Sequence, residues 1–539
     1  MPGDERSSRR LANAPPTPIP TPTPSSSREG GAPRPAIAWG IVGPLAAAKL
    51  LLHAGTNLFG PYEFHRDEFL YMAMGEHLRL WHMDFPPFIA MLSETTRFLL
   101  GDSLAALRLP PALMSTALLL IAALAARELG GGRFAQGLAA FSVLASTLFL
   151  RSGNLFQPVV IDQLFWSLAL FALLRFGTTR DPRWWLAFGA AAGLGLLAKF
   201  SLLVFGFATL VALIVTRERR WLATPWPWAA GVLAFVIGSP SIIGQINLGF
   251  PVMTQMEDLR SAQLARVSAG AFLLDQPRML AGFAIAAVGA AGLGFGRLGR
   301  RYRLAGWTAI LAFATLIALH GKSYYAGPVY PVLFGAGSVM IAGIKAPRWG
   351  PIVRWGLVGT LTAYLIVLWP MGLPVLKPET MERYLVGIGL QSAAVTNVGA
   401  QERIPQDYAD MLNWEEQVRE IARVYDALPA TDKRRTVILA SNYGEAGAVD
   451  VYGPGYGLPN ARAFVGSYWF FGPGELPGEV MILHGFSEED FRDYFESVTA
   501  AGHVTHPYAV NEQRDLTIYV GRGPRTTLQD AWPGWEGEN

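Results

Sequence analysis

Long apolar runs alternate with short charged breaks along most of this chain. Runs at 37–59, 109–126, 134–150, 157–174, 184–198, 200–216, 226–243, 279–296, 304–320, 327–344 and 355–371 approach the roughly 17 to 25 residues that a helix needs to cross a hydrocarbon core of about 30 Å. The pattern predicts a polytopic α-helical membrane protein with about eleven transmembrane helices. Polar character returns in three places. Residues 1–36 are rich in Pro, Ser and Arg and contain no aromatic side chain, which predicts a disordered tail. Residues 60–108 predict a polar loop. Within it, Asp67, Glu68, Phe69, Leu70, Met72, Ala73, Leu78 and Leu80 predict a juxtamembrane helix lying on the membrane surface. Beyond 371 the pattern predicts a small α/β domain over 372–539. Its expected strands lie at 437–440, 480–483 and 516–520, and an expected helix covers 487–499 with Ser487 as N-cap.

Composition supports this division. The 539 residues are 51% hydrophobic and 16% charged, against about 25% charged in soluble domains. Cysteine is absent, which excludes disulfides, thiol catalysis and Cys-based metal sites and suits a bacterial membrane protein. The basic residues punctuate the apolar runs instead of forming one patch, so no nucleic-acid partner is implied. They also fix an orientation. Arg6, Arg9, Arg10 and Arg28, then Arg127 and Arg133, Arg175, Arg180 and Arg183, Arg217, Arg219 and Arg220, Arg297 to Arg303, and Lys345, Arg348 and Arg354 occupy alternate breaks. The positive-inside rule places all of these in the cytoplasm. The N-terminus is then inside the bacterial cytoplasmic (inner) membrane, and 60–108, 244–278 and 372–539 lie outside.

The candidate chemistry gathers on that outer side. Asp67 and Tyr71 share a helix face by i,i+4 spacing, while Glu68 points about 100° away. Desolvation beside lipid makes a carboxylate a better proton acceptor near neutral pH. Charges at membrane depth cost about 2.5 kcal/mol or more, so Asp162, Lys199 and mid-span Lys49 favour function or pairing. Lys199 suits a phosphate as a point charge. Arg260, Arg266 and Lys322 are cations on the side where the charge rule disfavours them, which a phosphate ligand explains. His65, Asp67, Glu68 and Asp84 could surround a divalent metal, but their spacing is not diagnostic.

The segments His65-Arg66-Asp67-Glu68 and Met83-Asp84-Phe85-Pro86-Pro87-Phe88 resemble the first external loop of the C-type glycosyltransferases. More narrowly, they resemble glycosyltransferase family 39, the protein O-mannosyltransferase and aminoarabinose transferase group. The resemblance extends through Phe156-Gln157-Pro158-Val159-Val160-Ile161-Asp162, 193–200, Tyr324-Tyr325-Ala326-Gly327-Pro328-Val329-Tyr330-Pro331 and Asn442-Tyr443-Gly444-Glu445-Ala446. It implies transfer of a sugar from a polyprenyl-phosphate donor, at the outer membrane face, to an acceptor glycolipid, polysaccharide or protein. By the same resemblance Asp67 is the general base, Glu68 and Asp84 orient acceptor or donor, and Tyr325 and Tyr330 line the donor site. His65, Tyr71 and His82 would be acceptor-facing or orienting groups. Phe85 stands where several members have His or Lys, so a phosphate contact made there must come from elsewhere.

Two other readings compete. A transporter fits the many spans, but carriers tend to show two similar halves with ionisable residues in both, and here the acidic residues crowd the first third. A lipid-binding protein without transferase activity would leave the carboxylates dispensable.

Overall fold

The protein is described by a computed structural model covering residues 34–296 and 298–536. The expected tail (1–36) and the charge of Arg297 fall, up to residue 33 and at 297, outside the described residues. From Pro35 onward the described residues pack as one unit.

Every one of the eleven apolar runs carries a helix. They are not eleven equal spans. Among the described residues, five helices are long and apolar enough to cross a membrane: Leu104–Glu128, Pro158–Thr179, Pro225–Asn247, Ser323–Ala342 and Trp349–Gly372. A sixth arises if Ala269–Met279 and Phe283–Phe295, bent by 112°, count as one span. Three of the other runs depart from full spans for physical reasons. Trp184–Ala198 and Leu202–Val215 have 15 and 14 residues, about 21 to 22 Å at 1.5 Å per residue. The run at 134–150 breaks at Ser146, whose extended backbone separates Arg133–Ala145 from Thr147–Ser152. Ser323–Ala342 is central, with 78% of its apolar window buried, whereas Trp349–Gly372 is peripheral at 6%. Apolar side chains such as Phe235, Val236, Trp355 and Ile366 are exposed on the outside of the bundle. Polar ones turn inward, as on Trp39–Phe59, which buries Lys49, His53, Thr56 and Asn57. This is the inverse of a soluble surface, and the chain is a multi-pass membrane protein. Helices approach closely at glycines: a Cβ on Gly189 would lie 2.4 Å from the Ala230 carbonyl oxygen, and one on Gly193 would lie 2.6 Å from Ile237 Cβ.

The C-terminal segment forms a five-stranded sheet in the order β2-β1-β3-β5-β4. The strands are β1 Thr436–Ala440, β2 Ala461–Arg462, β3 Val480–His484, β4 Phe495–Thr505 and β5 Asp515–Pro524. β1 runs parallel to β2 and β3, and β5 runs antiparallel to β3 and β4. The expected strands occur as β1, β3 and β5. The expected helix over 487–499 does not. Ser487 and Asp490 form a capping box, but the helix stops at Phe491. Val498 and Thr499 then pair with Gly521 and Val520, and this ladder overrides the local helix signal.

The loop helix is Arg66–Glu76, started by His65 as N-cap and by a capping box with Glu68. It does not lie on a lipid surface. Phe69, Leu70, Met72, Ala73 and Met74 are buried, with Phe69 in edge contact with Trp414 and Tyr452 of the C-terminal segment. The apolar face that predicted membrane contact is covered by protein.

Candidate active site

Asp67 sits in the first turn of the loop helix, its backbone N–H capped by His65 Nδ1 at 3.1 Å. Its two carboxylate oxygens are held by neutral donors. Tyr443 OH donates to Oδ1 at 3.0 Å, and Gln157 Nε2 donates to Oδ2 at 3.0 Å. The side chain is 30% exposed. Among the described residues no Lys or Arg forms an ion pair with it. A carboxylate that is oriented and partly solvated can take a proton from a group docked beside it.

Glu68 is placed differently. It is fully buried, and Arg108 grips it with two hydrogen bonds, Nε to Oε1 at 2.8 Å and Nη2 to Oε2 at 2.7 Å. The backbone N–H groups of His65 and Phe156 each donate to it at 2.8 Å. This carboxylate ties the loop helix to the start of Pro158–Thr179. Asp84 is buried too, accepting from Ser467 Oγ at 2.8 and 2.7 Å, while its carbonyl accepts from Gln245 Nε2 at 2.5 Å. Burial pushes its carboxyl up to about 6. Phe85 follows it, half-buried against the core.

Cations lie in the same region, linked to Asp67 through Lys322. Lys199 ends Trp184–Ala198 with an extended backbone, and its Nζ lies 4.0 Å from the centroid of the Tyr325 ring and 5.7 Å from that of Tyr324. The Lys199 charge reaches Asp162, whose carboxylate accepts from Ser201 Oγ at 2.8 Å. Lys322 lies within electrostatic reach of Lys199, Arg151 and Asp67. Among the described residues neither Lys199 nor Lys322 has an acidic ion-pair partner. Tyr71 faces Asp67, Tyr443 and Tyr324, and burial with those neighbours raises its phenol well above the usual range. Asp67, Tyr71, Asp162, Lys199, Lys322 and Tyr325 are therefore brought into one neighbourhood.

Other expected residues lie elsewhere. Arg260 and Arg266 are exposed on the 244–278 segment, with Arg266 against Gly399. Tyr330 is buried and donates to Gln276 Oε1 at 2.6 Å, which leaves its hydroxyl occupied inside the bundle. His82 is at the surface beside Asn247. Among the described residues no three His, Cys, Asp or Glu side chains are grouped to hold a metal. Glu68 and Asp84 point to Arg108 and Ser467 instead of joining His65 and Asp67.

Sequence reasoning passed over Gln157, Tyr443, Arg108, Ser467 and Arg151. Arg151 pairs with Asp407 and lies near Tyr324, Tyr408 and Asp410. Arg108 and Arg151 carried a legible signal: each is a cation in a break where the charge pattern leaves few.

A family model described as Dolichyl-phosphate-mannose-protein mannosyltransferase matches residues 84–243, less than a third of the chain. No curated protein matches it. The fold is similar to that of ArnT from Cupriavidus metallidurans bound to undecaprenyl phosphate, with a TM-score of 0.61 at 15% identity over 90% of this chain and 100% of that one. The apo form of ArnT from the same organism gives a TM-score of 0.56 at 16% identity over 91% and 100%. The chain is thus similar in fold to ArnT over nearly its whole length, and its segment 84–243 resembles the mannosyltransferase family model.

Proposed function

We propose that this protein transfers a sugar from a polyprenyl-phosphate donor to an acceptor at the outer face of the bacterial cytoplasmic membrane, with Asp67 as general base. In this reading 37–371 form the membrane-embedded transferase and 372–539 an extracytoplasmic segment that covers the loop 60–108. The observation that carries it is one neighbourhood holding Asp67, which lacks a Lys or Arg ion-pair partner among the described residues, and Lys322 and Lys199, which lack an acidic one among them. An acceptor X–H loses its proton to Asp67 as X attacks the anomeric carbon. The bond from that carbon to the phosphate oxygen breaks, and its electron pair leaves with polyprenyl phosphate. Lys199 and Lys322 stabilise the charge that develops there, so the leaving group needs no proton. Support for this donor class comes from the mannosyltransferase family model and from the undecaprenyl phosphate named with ArnT. Glu68 and Asp84 serve by holding the loop, since their oxygens are already occupied.

The reading is tested by reconstituting the protein in liposomes with polyprenyl-phosphate sugars and extracted envelope acceptors. Transfer that depends on Asp67 supports it. Solute uptake without transfer would support the transporter reading instead.

A further inference from the structure

We infer that Tyr443 is a positioning residue for Asp67, and that the C-terminal segment completes the site by seating this phenol through a glycine-lined contact. The inference rests on Asp67 being the base. Tyr443 opens the helix Tyr443–Tyr452, whose N-cap Asn442 accepts from the N–H groups of Gly444 and Glu445 at 2.9 and 3.1 Å. Glu445 anchors the same turn, accepting from Ser441 Oγ at 2.9 Å and from Gln513 Nε2 at 2.8 Å. The phenol is therefore carried on a turn fixed from the sheet side.

Two glycines let that turn reach the loop helix. A Cβ on Gly444 would lie 2.5 Å from Arg66 Cγ, and one on Gly447 would lie 2.5 Å from Phe69 Cβ. Any larger residue at 447 must push the two helices apart, because Phe69 is fully buried beneath Trp414 and Tyr452. At this spacing Tyr443 OH meets Asp67 Oδ1 at 3.0 Å, opposite the Gln157 bond to Oδ2. Burial and the neighbouring Asp67 raise the phenol well above its ordinary range, so it remains a donor at any physiological pH. A donor on each oxygen fixes the carboxylate plane and stabilises its charged form. The titratable groups that also face Asp67 are His65, Arg66, Asp410, Tyr71, Tyr324 and Lys322.

The test uses the full chain in lipid nanodiscs, as wild type, Tyr443→Phe, Gly447→Ala and Asp67→Asn. Infrared difference spectra record titration of the Asp67 carboxylate, assigned by its loss in Asp67→Asn. In Tyr443→Phe the midpoint is expected to rise, because a hydrogen bond to the charged form is lost. Gly447→Ala is expected to raise it as well, with the phenol present but displaced. In the transfer assay kcat of both variants is expected to fall about 10- to 100-fold, with KM within about threefold. An unmoved midpoint in a folded Tyr443→Phe overturns the inference, as does an unmoved midpoint in Gly447→Ala. If Asp67→Asn transfers as well as wild type while the midpoint moves in Tyr443→Phe, the base assignment falls but Tyr443 still holds Asp67.

Discussion

Glu68 and Arg108 form a two-pronged ion pair sealed from solvent, with side-chain exposures of 0% and 1%. The Glu68 oxygens also accept the N–H groups of His65 and Phe156, so this one carboxylate joins the loop helix, the span Leu104–Glu128 through Arg108, and the segment leading to Pro158. Removing one partner strands a buried charge. We predict that Arg108→Met destabilises the protein by about 3 to 5 kcal/mol, and that the double variant Glu68→Met with Arg108→Met recovers part of that loss. Thermal unfolding in detergent reads both. Near wild-type stability for Arg108→Met would contradict the role given to this pair.

Neighbouring residues of the C-terminal segment clasp two buried carboxylates. Ser467 bonds Asp84, and Tyr468 OH bonds Asp450 at 2.7 Å. Burial pushes both carboxyls up to about 6, above the ordinary value near 3.8. The folded state thus holds these protons more tightly than the unfolded chain. Their contribution to stability is greatest below pH about 4, declines as pH rises to about 6, and is level above that. We predict that Asp84→Asn gains stability relative to wild type as pH climbs through this window, measured as unfolding midpoints at pH 4.5 and 7.5. A constant difference at both pH values would show that the Asp84 charge carries no folding cost.

Lys49 is buried in mid-helix and donates to the Phe149 carbonyl at 2.9 Å. That carbonyl also accepts from Ser115 Oγ at 2.6 Å, so it retains a partner without the lysine. A charge at this depth costs about 2.5 kcal/mol or more. We predict that Lys49→Met is neutral or stabilising in unfolding experiments, with transfer unchanged. A marked loss of stability would mean that Lys49 has a further partner.

In the proposed function Lys199 and Lys322 divide one task, holding the donor phosphate. We predict that Lys199→Met and Lys322→Met each reduce donor binding about tenfold, and that the double variant loses more than either. Isothermal titration with polyprenyl phosphate in detergent reads this, and weaker binding at high salt should accompany it. Equal binding by wild type and the double variant would remove the phosphate role.

The bundle was legible because its signal is local: apolar length and the Gly, Pro and Arg breaks placed a helix on each of the eleven runs. The breaks at Ser146 and at 280–282 were not legible, since they depend on what packs around them. The loop helix was found, but its apolar face was assigned to lipid because Trp414 and Tyr452, which cover Phe69, lie far along the chain. The same distance hid the partner of Asp67: Tyr443 is 376 residues away. Resemblance marked both segments without joining them.

The central claim is that Asp67 accepts the acceptor's proton. Its most direct test is the single-turnover rate of sugar transfer by purified Asp67→Asn in liposomes loaded with polyprenyl-phosphate sugar. The substitution keeps the shape and one acceptor oxygen for Tyr443 or Gln157, but turns the other oxygen into an NH2 donor and removes the base. A fall of about 10²- to 10⁴-fold with donor binding intact is predicted. A rate within a few-fold of wild type would contradict it.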